Sequence, residues 1–140
     1  MGLSLSAATA IIGVSVLLSI EFMVANVIPT MTDTNDSFDE MKDRAVEQMQ
    51  TDITITNITN NSLGPPYDLN ITVENTGSIV LETSYFNVLL NGTSQEFTCS
   101  ETYLYPENIV YFNITNQPNN GRLKIITDNG ISDYFDYVIS

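Results

Sequence analysis

Residues 1–28, MGLSLSAATAIIGVSVLLSIEFMVANVI, decide how the rest of this chain is organised. No charged side chain occurs up to residue 20, and after Glu21 no further charge occurs before Pro29. About 20 helical residues, each rising ~1.5 Å, cover the ~30 Å hydrocarbon core of a bilayer. Residues 1–28 are therefore predicted to form a hydrophobic, membrane-spanning α-helix. A cleaved secretory signal is disfavoured, because no basic residue precedes the apolar run and no clear small-residue cleavage site follows it.

The same helix is rich in small side chains. Small residues allow close approach of two helices in lipid, where there is no hydrophobic drive for association. The alternative is a plain single anchor that packs on nothing. The candidates for helix-to-helix packing are Ser4, Ala8, Ser15 and Ser19.

Charge and composition exclude several functions. Seventeen acidic residues against four basic ones give a net charge of -13, so nucleic acid and anionic lipid surfaces are disfavoured as partners. The chain has no histidine, no tryptophan and only one cysteine, Cys99, which is interpreted as a packed hydrophobe. Catalytic triads and zinc sites built from His and Cys therefore cannot form.

No catalytic, cofactor-binding or metal-binding residue is assigned, and no cofactor is expected. The glycines at positions 64, 77, 92, 121 and 130 are isolated turn residues, and no phosphate-binding spacing occurs. Asp128 with Asn129, and Asp133 with Asp136, have the oxygen ligands that Ca²⁺ prefers, but a hairpin turn and a solvated strand edge explain them more simply.

Six Asn-x-Ser/Thr sequons indicate a chain exposed outside the membrane. Because the only positive group before the apolar helix is the amino terminus, we expect the N-terminus inside and the C-terminal domain outside. The candidate N-glycosylation sites are Asn35, Asn57, Asn60, Asn70, Asn91 and Asn113.

Residues 29–50 are predicted to form a polar stalk. Pro29 is expected to end or kink the first helix. Ser37 followed by Glu40 resembles a capping box, which predicts a second, short amphipathic helix up to about residue 50. Its apolar stripe has three interpretations: packing on the domain, continuation of the membrane helix, or a seam against neighbouring subunits.

At residue 51 the pattern changes from helical spacing to alternation, and short strands follow at close intervals with turn residues between them. This pattern predicts that residues 51–140 form an all-β, immunoglobulin-like antiparallel sandwich. Asn91-Gly92 predicts a type I′ hairpin, and the last strand is a candidate exposed edge. The expected strands are residues 52–58, 69–74, 79–81, 85–90, 95–99, 109–114, 123–127 and 133–139. The aromatic side chains expected in the core or on the sheet faces are Tyr85, Phe86, Phe97, Tyr111, Phe112, Tyr134, Phe135 and Tyr137.

Five segments together resemble a known family. They are MGLS at residues 1–4, AIIGV at 10–14, MKDRA at 41–45, ITVENTGS at 71–78 and FNVLLNGT at 86–93. The chain resembles the archaeal flagellar (archaellum) accessory proteins F and G, and it shares with archaellins and archaeal pilins the plan of an N-terminal hydrophobic helix followed by a β-sandwich. Filament subunits carry a basic leader ending in Lys/Arg-Gly, whereas only Met1 precedes Gly2 here. That departure favours the accessory proteins.

The resemblance implies a non-enzymatic role in motility. Its expected form is a single-pass membrane anchor with the sandwich outside, in the pseudoperiplasm, acting as a stator that binds the surface (S-) layer. The expected partners are the membrane, the S-layer protein, other archaellum accessory or filament subunits, and further copies of the chain. The alternatives are a subunit of an extracellular archaellum or type IV pilus-like filament and, less favoured, a glycosylated surface adhesin.

Overall fold

The computed structural model describes residues 2–140 and contains two compact units, Met1–Asp43 and Arg44–Ser140. The predicted fold class is confirmed at the level of a long N-terminal apolar helix followed by an antiparallel β-sandwich.

The helical part consists of α1 (Gly2–Phe22), a π-helical segment (Met23–Val27) and α2 (Ile28–Gln50), without a break between them. At ~1.5 Å per residue, the 21 residues of α1 extend roughly 31 Å, which matches the hydrocarbon thickness of a bilayer. Every described side chain from Gly2 to Gln50 is exposed in the isolated chain. This is the one helix among residues 2–140 that is long and apolar enough to cross a membrane.

Pro29 lies inside the helix, so the expectation that it ends the first helix is wrong. Proline has no backbone N–H, and its ring clashes with the carbonyl group four residues earlier. The π-helical segment directly before it widens the helical turn, and the Ile28 N–H donates to the oxygen of Met23, five residues back. This wider turn gives the helix a way to continue past the proline.

The capping box expected at Ser37 is also wrong, because no helix begins there. The Ser37 hydroxyl donates to the carbonyl oxygen of Asp33 at 2.9 Å, inside the continuous helix. A Ser-x-x-Glu pattern therefore does not start a helix when the preceding residues are already helical.

The sandwich consists of two four-stranded antiparallel sheets and a two-stranded ribbon. The strand order is β1-β2-β8-β6 in the first sheet and β10-β9-β4-β5 in the second, and β3 pairs with β7. The strands are β1 (Ile53–Asn60), β2 (Tyr67–Asn75), β3 (Leu81–Glu82), β4 (Asn87–Leu90), β5 (Thr93–Gln95), β6 (Thr98–Cys99), β7 (Tyr103–Leu104), β8 (Ile109–Gln117), β9 (Asn120–Ile126) and β10 (Ser132–Val138).

The core lies between the two sheets and follows the alternation in the sequence. On β2 and β8 every second side chain is buried over most of each strand, as the two-residue period of a strand requires. Phe112 lies at the centre, stacked on Phe86 at 5.7 Å between ring centroids and in edge contact with Phe97 at 5.1 Å. Phe86, Phe112 and Tyr137 are buried and Phe97 and Phe135 partly so, whereas Tyr85, Tyr111 and Tyr134 are exposed.

The hairpin at Asn91-Gly92 is confirmed, with φ values of 50° and 84°, the two positive values that a type I′ turn needs. The single strand expected at residues 95–99 is wrong, because two short strands, β5 and β6, occupy this stretch and belong to different sheets. Only β5 pairs back onto β4, while β6 pairs with β8 of the other sheet. The chain changes sheet between them, at Phe97, whose ring packs against Phe112.

The immunoglobulin-like assignment stays a prediction. The order β1-β2-β8-β6 corresponds to the A-B-E-D sheet of that fold if β8 is strand E and β6 is strand D. With the same lettering, β10-β9-β4-β5 is a G-F-C sheet with one extra strand. Both orders favour the prediction.

Candidate functional site

The loops of the sandwich lie at its two ends. The near end consists of the loops around Gln50, residues 76–80, 105–108 and 127–131, and the far end consists of loops 61–66, 91–92 and 118–119. The strand registers define this division, since Glu74 pairs with Ile109 at the near end and Tyr67 with Gln117 at the far end.

The last helical residue is fixed to the near end through its backbone. The Ser78 N–H donates to the carbonyl oxygen of Gln50 at 2.8 Å. The N–H groups of Thr76 and Gly77 both donate to the carbonyl oxygen of Asp52 at 3.1 Å. Carbonyl groups at a helix C-terminus need such partners, and here the sandwich supplies them. The helix therefore ends against the sheet rather than in a free linker.

Asn75 holds this loop from inside. Its side chain is fully buried, and its Nδ2 donates to the carbonyl oxygens of Ile79 at 2.7 Å and Leu104 at 3.0 Å. Its Oδ1 accepts the N–H of Gly77 at 2.9 Å. A buried amide with all these partners fixes the path of the chain, because any other path would leave buried polar groups unpaired.

Gly77 is required at this junction for steric reasons. A Cβ atom there would collide with the carbonyl oxygen of Gln50 and would lie 2.6 Å from the backbone nitrogen of Asp52. Both obstacles are backbone atoms, which cannot rotate away as a flexible side chain would. The close approach of the 76–78 turn to the helix end thus depends on the absence of a side chain.

A second loop holds the helix end from the other sheet. Asn129 accepts a hydrogen bond from the Gln48 side chain on its backbone oxygen at 2.9 Å, and its own Nδ2 donates to the hydroxyl of Thr51. That hydroxyl donates to the carbonyl oxygen of Glu47 at 2.7 Å. Both sheets therefore contact the last helical turn and the residue after it.

β10 is an edge strand of the second sheet, as expected for the last strand of the chain. Its Asp133 carboxylate accepts the backbone N–H of Ile55, on the edge strand β1 of the other sheet, at 2.8 Å. An edge N–H that is bound in this way is not available to a strand from another molecule. The β10 backbone edge itself remains the candidate for strand addition.

The four candidate packing residues of the helix share one face. Ser4, Ala8, Ser15 and Ser19 are spaced by four, seven and four residues, which brings them within one side of a helix. Hydroxyls along α1 donate to carbonyl oxygens four residues earlier, among them Ser15 to Ile11 and Ser19 to Ser15, each at 2.8 Å. Helix-to-helix packing through this face stays a prediction.

The six candidate glycosylation sites differ in accessibility. Asn35, on the helix, and Asn57, Asn91 and Asn113, on the sandwich, are exposed. The Asn60 amide donates to the carbonyl oxygen of Ser62 at 2.8 Å and is half-buried. Asn70 is half-buried, and it pairs directly with Asn113 in the sheet register. Asn91 accepts the Arg122 N–H on its Oδ1 at 2.9 Å.

The far end presents the most exposed apolar side chain of the sandwich among residues 2–140. Leu63 is fully exposed at the tip of the loop between β1 and β2. Ser62 organises this loop: its N–H and hydroxyl both bind the Asn60 side-chain oxygen at 2.9 Å, and its hydroxyl accepts the Asp68 N–H at 3.1 Å. The ordered turn around Ser62 therefore keeps the Leu63 side chain in solvent.

The sequence pattern does not predict the junction. It indicates only a turn at residues 75–77, whereas that turn depends on the buried Asn75 side chain and on Gly77, where a Cβ atom would collide with the backbone.

Within residues 2–140, no group of three His, Cys, Asp or Glu side chains is placed to hold a metal ion. Burial raises the pKa of the Tyr137 phenol, whose hydroxyl donates to the carbonyl oxygen of Pro118 at 3.2 Å.

Comparison with known proteins gives a likeness to a solved structure. Neither a protein family nor a protein of curated function matches the sequence. Among solved structures, the chain is similar to the archaellum periplasmic stator protein FlaG from Sulfolobus acidocaldarius, with a TM-score of 0.48 and 18% identity. The likeness covers 62% of this chain and 99% of that protein.

Proposed function

We propose that this chain is a non-enzymatic component of the archaellum, anchored in the membrane by its N-terminal helix and acting as a stator that binds the S-layer through its sandwich. The five sequence segments that resemble accessory proteins F and G motivate the proposal. The stator role is also the one that the name of FlaG states, but the proposal rests on those segments and on the junction rather than on that distant likeness.

The observation that carries the proposal is the fixed junction between the last helical turn and the near end. A stator resists torque, so the helical turn that enters its binding domain needs a stiff attachment to that domain. Gln48 and Gln50 are bonded to loops of different sheets, and Gly77 allows the backbones to touch. A flexible linker of polar residues would let the sandwich turn freely.

The helix supplies the anchor in this proposal. No charged side chain precedes Glu21, and serine and threonine hydroxyls along the helix donate to its own carbonyl oxygens, as Ser15 does to Ile11. A hydroxyl bonded in this way costs less to transfer into lipid than a free one. We place the helix N-terminus inside and the sandwich outside, where the exposed sequons are accessible.

The far end is the part of the sandwich that we assign to the S-layer contact. The last helical turn occupies the near end, so the far end is the one left for a partner. Leu63 is the exposed apolar group there, held out by the ordered turn around Ser62. An apolar side chain that is already held on an ordered loop loses little conformational freedom when a partner covers it, so little binding energy is spent on ordering it.

The test is binding of the purified full-length chain, in neutral-lipid nanodiscs, to isolated S-layer sheets over a series of pH and salt concentrations. We expect saturable binding that Leu63→Asp weakens by about tenfold or more, the effect of losing one interface hot spot. Val80→Asp is the matched control, because Val80 is an exposed apolar residue at the near end. Equal loss in both variants would contradict the far-end contact, and absence of saturable binding under all conditions would contradict the stator role.

A filament subunit is the second candidate, because Ser4, Ala8, Ser15 and Ser19 share one helix face, as helices bundled in a fibre core would require. Recovery of the chain as a regular component of sheared filaments would favour it. Recovery in the membrane fraction alone would favour the stator.

A further inference from the structure

The positive charge of the sandwich is concentrated at one place. Arg122 and Lys124 are the only basic residues after Arg44, in a chain of net charge -13. They are two residues apart on β9, and Leu123 and Ile125, which alternate with them, are buried. Both cations therefore lie on the outer face of the second sheet.

A tyrosine on the neighbouring strand contacts both of these cations. Tyr134 on β10 pairs with Lys124 in the sheet register. The guanidinium carbon of Arg122 lies 4.8 Å and the Lys124 Nζ 4.9 Å from the centroid of the Tyr134 ring. Attraction of both cations to one ring offsets part of their mutual repulsion and keeps the two charges together.

The three side chains border a cleft of about 310 Å³. Its other lining residues are Leu89 on β4 and the hairpin turn Asn91-Gly92. The Asn91 Oδ1 accepts the Arg122 N–H at 2.9 Å, which fixes the amide group at the rim. A cleft of this size has room for a single small ring, at the lower limit of ordinary ligand sites.

The protein's own acids neutralise this cleft only weakly. Asp136 lies 3.6 Å from the Arg122 Nε, but the two side chains are 77% and 64% exposed. An exposed ion pair at that separation contributes little. Within residues 2–140, Lys124 contacts the Tyr134 ring and has no carboxylate within salt-bridge distance.

We propose that this cleft binds an acidic sugar, with Arg122 and Lys124 on its carboxylate and the Leu89 and Tyr134 side chains beside its ring. A guanidinium binds a carboxylate through two parallel hydrogen bonds, and an aromatic and an aliphatic side chain offer apolar surface to ring C–H groups. The net negative charge of the chain repels a long polyanion, so it disfavours an acidic polypeptide more than a single acidic sugar. This inference does not depend on the role in the archaellum.

The test is calorimetric titration of the full-length chain in neutral-lipid nanodiscs with methyl glucuronide and, separately, methyl glucoside. The two probes share the same ring and differ in the carboxylate. We expect the glucuronide to bind at least about tenfold more tightly, the usual effect of a charge-assisted hydrogen bond. Arg122→Gln and Lys124→Gln should each weaken glucuronide binding by about tenfold.

Lys42→Gln is the matched control, since it removes one positive charge outside the sandwich. It should change glucuronide affinity by less than about twofold, because Lys42 does not line the cleft and salt screens exposed charges. Equal binding of the two sugars, no binding of either, or an equal loss in Lys42→Gln would overturn the proposal. Tighter binding of polyglutamate than of the glucuronide would also overturn it and would indicate an acidic polypeptide instead.

Discussion

The backbone N–H of Ser78 donates a 2.8 Å hydrogen bond to the carbonyl oxygen of Gln50, so the turn after β2 closes the C-terminus of the helix. A helix usually ends with a glycine or a capping side chain of its own. Here the partner comes from a turn that follows β1 and β2 in the chain. The helix end and the sandwich are therefore expected to unfold together.

Gly77→Ala should destabilise the sandwich by about 1–3 kcal/mol, the usual cost of forcing extra atoms into a packed site. The added Cβ would collide with the backbone of Gln50 and Asp52. Urea unfolding of the full chain in detergent measures the loss. Gly64→Ala is the matched control, because a Cβ there meets no atom within 4 Å, and it should stay within about 0.5 kcal/mol of the parent. Equal stability of the two variants would contradict the close contact.

Membrane insertion should depend on the uncharged centre of α1. Ile12→Asp places a carboxylate in the middle of the apolar run, at a cost of about 3 kcal/mol for insertion. The variant should shift from the membrane pellet to the supernatant after alkaline extraction. Ile12→Leu conserves the apolar character and should stay in the pellet. Retention of the aspartate variant in the pellet would argue against a spanning helix.

The stability of the sandwich should fall at alkaline pH because of Tyr137. Burial raises the pKa of its phenol in the folded state above the ordinary value of about 10. As the pH rises past about 10, the unfolded chain loses this proton first. The folded state then holds more protons, so the free energy of unfolding decreases with pH, and the contribution is lost as the pH passes the folded pKa. Below about pH 10 Tyr137 adds no pH dependence.

Urea unfolding between pH 8 and about 11 measures this decline. Tyr137→Phe should decline less steeply above about pH 10, since it has no phenol to ionise. It also loses the hydrogen bond to Pro118, so its stability below that pH should be slightly lower. Parallel pH profiles for the two proteins would rule out the assignment to Tyr137.

Glycan occupancy should follow the accessibility of the amide groups. We expect glycans at Asn57 and Asn113, whose side chains are exposed, and little at Asn70, which is half-buried and faces Asn113 across the register. Directly opposite residues in a sheet lie only about 5 Å apart, which leaves no room for two glycans. Mass spectrometry of peptides from the protein made in its own host measures this. High occupancy at Asn70 together with Asn113 would contradict the expectation.

Local patterns predicted the elements of this fold that depend on neighbouring residues. The charge-free run indicated the apolar helix, the alternation indicated the central strands, and Asn91-Gly92 indicated the hairpin, because each signal lies within a few residues. The expectation that Pro29 ends the helix was wrong, since the π-helical segment before it accommodates the proline and the proline itself gives no sign of that segment. The crossing at Phe97 was missed because it depends on Phe112 of another strand.

The two proposed sites could be predicted from the sequence to different degrees. The junction needs Asn75, Gly77 and Asn129 to meet Gln48 and Gln50, which lie far away in sequence, so no local pattern could reveal it. Arg122 and Lys124 are the only basic residues after Arg44. Their place around Tyr134 follows from the register of β9 and β10, which sequence alone did not fix.

β10 runs from the near end of the sandwich to the far end, so the residues after it mark the far end. The strand begins at Ser132, next to the near-end loop, and reaches Val138, which pairs with Asn120 at the far end. Its seven residues extend roughly 24 Å at ~3.4 Å each. A fluorophore or gold particle attached after Ser140 would therefore mark the end of the sandwich opposite to Gln50. Imaging such a label in intact cell envelopes would report which way the domain points.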